Sequence, residues 1–258
     1  MKERVKEELT RVEQEHEVKV LLAVESGSRA WGFETTDSDW DCRFVYVHRK
    51  NWYLSVQKRR DVIEEMLPGD LDLAGWELRK ALNLFYKSNP PLLEWLRSPI
   101  TYLEDEEAMV RWRDLVPDFA SPQRCFHHYL SMASGNYKDY LKSDPVRLKK
   151  YLYVLRPLLA CKYIETHGTW VPMEFDVVLD ATLEGGELRE RIDMLVERKK
   201  AGEELGTGAA DPVIDGFITQ EMERLQGAIP EQGLPPSVEP LNEYFRWAID
   251  HCESNFGA

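Results

Sequence analysis

The nine-residue run Trp-Asp-Cys-Arg-Phe-Val-Tyr-Val-His at positions 40–48, entered from Asp39, constrains this chain more than any other stretch. Along an extended strand successive side chains point to opposite faces. Asp39 and Asp41 therefore project from one face, while Trp40, Cys42, Phe44 and Tyr46 form an apolar row suited to a core. A β-prone run at 18–24, Val-Lys-Val-Leu-Leu-Ala-Val, precedes it and is stopped by the turn Glu25-Ser26-Gly27-Ser28. Two strands joined through a glycine turn, with paired acids opening the second, are the starting point for everything else.

Residues 60–66 and 70–74 add two strand candidates, separated by the turn signal Pro68-Gly69. Residues 2–16 form a helix with Val5, Leu9 and Val12 at helical spacing, and 29–33 one helical turn. A further helix is expected over 75–87, carrying Trp76, Leu78, Ala81, Leu82, Leu84 and Phe85. Asn89-Pro90-Pro91 ends it and starts the next, because proline suits a first helical turn. Beyond residue 100 the pattern turns helical, over 104–115, 121–142, 146–166, 184–203, 212–226 and 239–254. Gly202, Gly206, Gly208 and the stretch 227–240 read as connectors. The expected architecture is α+β: a small mixed β-sheet core with flanking helices over 1–115, then a helical domain over 116–258.

Hydrophobic residues make up 43% of the 258, enough for a core. No apolar run approaches the ~18 residues that span a bilayer, and the first eight residues hold no apolar signal segment. A cytoplasmic protein is expected, with no membrane partner. The net charge of −13 argues against a protein coated with basic charge for gripping duplex DNA, though not against one local basic patch. The four cysteines, Cys42, Cys125, Cys161 and Cys252, are widely spaced with no CxxC, so buried free thiols are expected rather than a zinc site or disulfides.

The chemistry points to residues 25–48. Gly27 lets the backbone turn sharply and a phosphate come close. A helical turn starting at Ser28-Arg29 would aim free N–H groups at an anion. The loop is not a Walker A motif, because Gly32 is followed by Phe33 and Glu34, nor is it GxGxxG. Asp39 and Asp41 can bridge hard cations such as Mg²⁺, which prefer carboxylates, water and substrate phosphates. Two such ions, roughly 3.5–4 Å apart, activate an attacking oxygen and neutralise leaving pyrophosphate. The plainer alternative is that Asp37, Asp39 and Asp41 form a solvated strand face. A third carboxylate is expected from Asp70 or Asp72. Asp72 is preferred because it adjoins the strand-to-helix junction at Gly75; its alternative role is to cap that helix. Arg29 and Arg43 flank the acids and either meet a triphosphate oxygen or, for Arg43, form an ion pair that orients them.

Gly27-Ser28 followed by Asp39-x-Asp41 resembles the signature of the DNA polymerase β-type nucleotidyltransferase superfamily. Longer stretches are similar to one branch, the RlaP nucleotidyltransferases assigned to RNA repair: Gly-Ser-Arg-Ala-Trp-Gly-Phe (27–33), Ser-Asp-Trp-Asp-Cys-Arg-Phe-Val-Tyr (38–46), Gly-Trp-Glu-Leu-Arg-Lys-Ala-Leu (75–82), Lys-Ser-Asn-Pro-Pro-Leu-Leu-Glu-Trp-Leu-Arg-Ser-Pro-Ile (87–100) and Leu-Arg-Pro-Leu (155–158). The resemblance implies a nucleotidyltransferase core using an NTP and two Mg²⁺ or Mn²⁺ ions. Gly27, Ser28, Arg29 and Arg43 would hold the nucleotide, and Asp39, Asp41 and Asp72 the metals and the catalysis. It implies transfer of a nucleoside monophosphate to a hydroxyl, with an RNA 3′ end as acceptor. The alternatives are a protein or small-molecule hydroxyl, or a non-catalytic, antitoxin-like binding protein of the same fold.

The helical half has one charge anomaly that bears on the acceptor. Residues 138–162 hold seven basic residues against Asp139 and Asp144, a local +5 in a chain of −13. Tyrosines 137, 140, 151 and 153 are interleaved. Lys142, Lys149 and Lys150 are candidate phosphate contacts with tyrosines stacking bases; a solvated helical face with tyrosines in the core is the alternative.

Overall fold

A computed structural model describes residues 1–142, 145–202, 206–228, 230, 233–254 and 256. Of the positions named above, Asp144, Glu203 (a predicted helix end) and Ile229, Glu231 and Gln232 (in the predicted connector) lie outside the described residues. The chain forms two compact units: Met1–Ala30, Asp39–Ala120 and Leu234–Ala258 make the first, Trp31–Ser38 and Ser121–Gly233 the second.

The first unit begins with α1 (Lys2–His16), β1 (Val18–Glu25), the single turn α2 (Gly27–Ala30) and β2 (Trp40–His48). A short α3 (Lys50–Tyr53), the hairpin β3 (Val62–Leu67) and β4 (Leu71–Glu77), α4 (Leu78–Tyr86) and α5 (Pro90–Trp95) follow. It continues with β5 (Thr101–Glu104), α6 (Glu106–Asp114) and α7 (Val116–Phe119). The five strands form one mixed sheet in the order β3-β4-β2-β1-β5, with β2 and β4 parallel and every other pair antiparallel. The α+β architecture with helices flanking a mixed sheet is the one expected.

The pleat predicted for β2 organises the core. Cys42, Phe44 and Tyr46 are buried with Val5, Leu9 and Val12 of α1 and with Val18, Val20 and Ala23 of β1. Trp40, at the strand's start, packs against the edge of that cluster. Val45 and Val47 alternate to the opposite face and are also fully buried, because helices cover that side too.

Two differences from the expected elements have clear causes. Strand β4 runs through Gly75 and Trp76, where the sequence predicts a helix. Gly75 pairs with Phe44, and a Cβ there would lie 2.2 Å from the phenyl ring. Only glycine leaves the cross-strand phenylalanine its space. The helix starts after Glu77, whose carboxylate caps it by accepting from the N–H groups of Arg79 (2.8 Å) and Lys80 (3.2 Å). The helix-capping role considered for Asp72 therefore belongs to Glu77. The four-residue β5 has no counterpart among the expected strands, since so short a run carries no periodicity; pairing with β1 defines it.

The second unit holds α8 (Pro122–Tyr140), the ribbon strand β6 (Val146–Arg147), α9 (Lys150–His167), α10 (Phe175–Thr182), α11 (Glu187–Lys200), β7 (Thr207–Gly208) and α12 (Pro212–Gly227). The helix expected from 146 begins at Lys150, because Val146 and Arg147 pair with Gly208 and Thr207 instead. The last helix, α13 (Glu239–Glu253), belongs to the first unit, where Tyr244 Oη donates to the Ala108 carbonyl (3.2 Å). All four cysteines are buried free thiols. Among the described residues no helix is long and apolar enough to cross a membrane.

Helix α9 carries Pro157 in its interior. Proline has no N–H, so the carbonyl of Tyr153, four residues earlier, loses its helical partner. Asn136 of α8 supplies one, its Nδ2 donating to that carbonyl at 2.8 Å. Asn136→Ala is therefore expected to cost about 1–2 kcal/mol, the usual cost of an unpaired backbone acceptor. Chemical denaturation should show it as a lower midpoint at unchanged slope.

Candidate active site

Strand β1 is apolar until its last residue. Glu25 is fully buried, an acid at the end of a run that is otherwise core. Its Oε1 accepts from the Asp41 backbone N–H at 2.8 Å, and its Oε2 accepts from the Tyr102 hydroxyl. Burial pushes the Glu25 carboxyl above the usual carboxylate range, and the two donors pull it back. One residue on, Ser26 N–H donates to the Asp41 carbonyl at 2.9 Å. Asp41 is thus fixed through both its backbone groups by the end of β1.

Gly27 follows with φ +60°, a conformation that favours glycine. A Cβ on it would lie 2.1 Å from Oδ2 of Asp41. The glycine expected for phosphate approach has a second, local reason: any side chain there would displace the Asp41 carboxylate.

Asp41 and Asp72 are partners in the parallel pairing of β2 with β4. Asp72 stands at the start of β4, five residues before its end, and not beside a strand-to-helix junction as expected. Asp70 is exposed in the turn with φ +57°, and its carbonyl accepts from Trp40 N–H at 2.7 Å. Of the two third-carboxylate candidates, Asp72 is the one beside Asp41. Arg43 sits between the pair, its Nη2 reaching Asp41 Oδ1 at 2.9 Å and Asp72 Oδ2 at 2.7 Å. This is the ion-pair arrangement considered for Arg43. Asp41's carboxyl is pushed up by burial, with Asp72 and Asp39 acting in the same direction and Arg43 opposing them.

Asp39 lies one residue before β2. Arg29 Nε donates to its carbonyl at 3.2 Å, and the guanidinium stands 3.7 Å from the centre of the Trp40 ring. Ser28 is in α2, half-buried. Among the described residues the one trio of potential ligand side chains whose donor atoms all fall within 4.8 Å of one another is Glu15, His16 and Glu65, at the surface beside α1. Asp39, Asp41 and Asp72 do not close to that distance here. Their chemistry still fits a hard divalent cation. The donors are all carboxylate oxygens, one is largely withdrawn from water, and a cationic side chain already occupies the space between two of them.

The loop between Ala30 and Asp39 is anchored within the second unit. Trp31's carbonyl accepts from Phe175 N–H at 2.9 Å, and Phe33 is buried edge-on against Phe175. Arg156, buried, stands 4.4 Å from the Trp31 ring and donates to the Met173 carbonyl at 3.2 Å, so it is structural. Lys142 and Lys149 are exposed, as are Lys138 and Arg147. Lys150 is half-buried, with its Nζ 4.1 Å and 4.4 Å from the Tyr140 and Tyr153 rings. Burial, with Lys149 and Arg147 nearby, lowers its pKa. Tyr151 is in the core, donating to Asp215 Oδ1 at 2.9 Å. The basic segment is therefore a mixture: four exposed cations, and tyrosines engaged in packing.

A mixed sheet carrying adjoining carboxylates beside a Gly-Ser turn suits a polymerase β-type nucleotidyltransferase, the class to which the family match assigns the chain. The chain belongs to the family described as "RlaP: RNA repair pathway DNA polymerase beta family", whose model matches residues 1–247. It is 51% identical over 231 residues to "Uncharacterized protein YcgL" of Bacillus subtilis (strain 168), covering 90% of this chain and 89% of that one. The crystal structure of a nucleotidyltransferase-like protein from Exiguobacterium sibiricum 255-15 aligns with 98% of this chain and 88% of that one. Its 14% identity and TM-score of 0.31 are too low to carry an argument.

Glu25 and Tyr102 are the site's supports that no spacing rule marks in the sequence. The available signal is an acid closing an apolar strand directly before Ser-Gly-Ser. Glu25→Ala leaves the Asp41 N–H and the Tyr102 hydroxyl without their acceptor and is expected to destabilise by about 3 kcal/mol. Glu25→Gln keeps an acceptor for Asp41 and lets Tyr102 rotate to accept, so most of the loss should return. Urea denaturation of both variants checks the order; equal losses would mean that the site needs both carboxylate oxygens as acceptors, and not merely a side chain of this shape.

Proposed function

We propose that the protein is a divalent-metal-dependent nucleotidyltransferase that moves a nucleoside monophosphate from an NTP to the 3′ hydroxyl of an RNA. The observation that carries this reading is the pair Asp41–Asp72, side by side on parallel strands, with Gly27 packed directly on Asp41. Asp39, Asp41 and Asp72 are the residues that would hold Mg²⁺ or Mn²⁺, which when bound supplies charge neutralisation for the triphosphate and acidifies the attacking hydroxyl.

The chain's own groups do the positioning. Gly27 and Ser28 receive the triphosphate in the turn after β1, with Arg29 nearby. Glu25, through the Asp41 N–H, holds the carboxylate in place. Arg43 orients Asp41 and Asp72 together. The acceptor oxygen bonds to the α-phosphorus, the bond to the bridging oxygen breaks, and pyrophosphate and a proton are released. Such displacement asks little covalent chemistry of the protein, so positioning and charge provide the rate.

Labelled NTPs offered with Mg²⁺ or Mn²⁺ to total RNA and to protein test the activity and identify the acceptor. Asp41→Asn should lower transfer by at least about 10²-fold with the circular dichroism spectrum unchanged, and Gly27→Val should do the same by displacing Asp41. Wild-type rates in either variant would overturn the assignment.

An RNA acceptor is supported by the exposed cations of residues 138–149 in an acidic chain. Lys142→Glu with Lys149→Glu should weaken single-stranded RNA binding and flatten its salt dependence by about 0.7 in log K per log salt for each phosphate that is no longer neutralised. Lys150 is a separate test, because its ammonium is already engaged by tyrosines. Unaltered RNA labelling by the Lys142→Glu, Lys149→Glu variant across a salt series would reduce the segment to a solvated face and remove this support, while labelling of protein alone would put a protein hydroxyl in the place of RNA.

A further inference from the structure

The far end of β2 and β4 carries a second site-like feature. Tyr46 and Glu77 pair five residues along from Asp41 and Asp72, about 16 Å away at the rise of a strand. Beyond them a cavity of about 400 Å³ opens between α3, the loop at 54–61 and the first turn of α4. That volume is within the range of small-molecule sites.

Its lining is cationic in a chain that is strongly acidic. Lys58, Arg59, Arg79 and Lys80 contribute positive charge, with Asp61 and Glu77 opposing. Lys80 is satisfied by Asp61 at 3.1 Å. Glu77 caps α4 with both oxygens and offsets part of the Arg79 charge. Among the described residues Lys58, Arg59 and Arg79 have no carboxylate partner; Arg79 lies against the Tyr53 and Phe245 rings instead. Four cations against two acids leave the cavity lining with an excess of positive charge, suited to an anion.

An aromatic platform lines the same cavity. Trp52 is stacked on His48, ring centres 4.2 Å apart and 9° from parallel, and Tyr53 meets Trp52 edge-on. Burial, with Arg59 and His16 nearby, lowers the His48 pKa to about 4, so the ring behind Trp52 is uncharged at neutral pH. Arg59 lies 5.9 Å from the Trp52 ring. A planar base placed on Trp52 would sit in the cavity that Lys58, Arg59 and Arg79 also line.

We propose that this cavity is a second binding site, for a nucleoside phosphate, with the base on Trp52 and the phosphate held by Lys58, Arg59 and Arg79. The ligand is either a free nucleotide or a nucleotide within a single strand. This site is separate from the transfer reaction and does not require it.

The test uses the intact chain with chelator present, so that the acidic site has no metal to draw phosphate. AMP, ribose 5-phosphate and a short oligouridylate are titrated by calorimetry. AMP or the oligonucleotide should bind, AMP more tightly than ribose 5-phosphate because the sugar phosphate has no base to stack. Lys58→Glu with Arg59→Glu, both in an exposed loop, should weaken binding at least about tenfold. Arg79→Ala, which leaves the backbone N–H cap intact, should weaken it as well. Asp41→Asn should bind as wild type does, which separates this site from the transfer reading. Binding of AMP assigns a free nucleotide; binding of the oligonucleotide alone assigns a strand. No binding of either, no loss in the charge-reversed protein, or loss in Asp41→Asn overturns the second site. Equal affinity for AMP and ribose 5-phosphate overturns the place given to the base.

Discussion

Parallel pairing of β2 with β4 is the constraint from which the site follows. In that register Asp41 and Asp72 are direct neighbours, and two carboxylates held together away from bulk water repel each other unless a positive charge lies between them. Arg43, two residues along β2 and on the same face, is placed to provide it, and its Nη2 alone reaches one oxygen of each acid. The same Arg43 also donates to the Asp72 carbonyl at 3.1 Å, tying the charge pair to the strand pairing.

Two glycines show how closely the sheet and the site are packed together. Gly27 makes room for the Asp41 carboxylate and Gly75 for the Phe44 ring. The two neighbours lie on the same strand, one facing the acids and the other the core. A side chain at either glycine would be felt first by β2, so the strand that carries the candidate chemistry is also the one with the least tolerance for change around it.

Much of this is legible in the sequence because it rests on periodicity. The alternation along 40–48 gives the strand, its buried row and the acidic face, and Val5, Leu9 and Val12 give the helix that covers that row. What periodicity cannot supply is pairing. The sequence prefers Asp72 over Asp70 for a strand-to-helix junction that lies elsewhere; it is the register that sets Asp72 beside Asp41. Strand β5 is too short to announce itself, and the ribbon at Val146–Arg147 exists through its pairing with Thr207–Gly208. Helix α10 includes the adjacent β-branched pair Val177-Val178, whose helix propensity is weak. Glu25 reads as a turn residue, because an acid beside Ser-Gly-Ser looks solvent-facing until the strand is seen to carry it inside.

The buried Glu25 brings a further acid against Asp41, and hydrogen bonds hold it there. Its carboxylate is withdrawn from water beside Asp41, which by itself opposes folding. The opposition is met by directed hydrogen bonds, one from the Asp41 backbone and one from Tyr102 of β5. Each donor is fixed by a strand on either side of β1, so the bonds form only when β5, β1 and β2 are all in register. A buried polar group of this kind adds little net stability, since its desolvation consumes most of what the hydrogen bonds return. What it does add is discrimination between registers. A one-residue slip of β2 would leave Glu25 without its donor and would turn Asp41 toward the core, so the carboxylate at the end of β1 penalises the misregistered sheets in which the acid pair could not form.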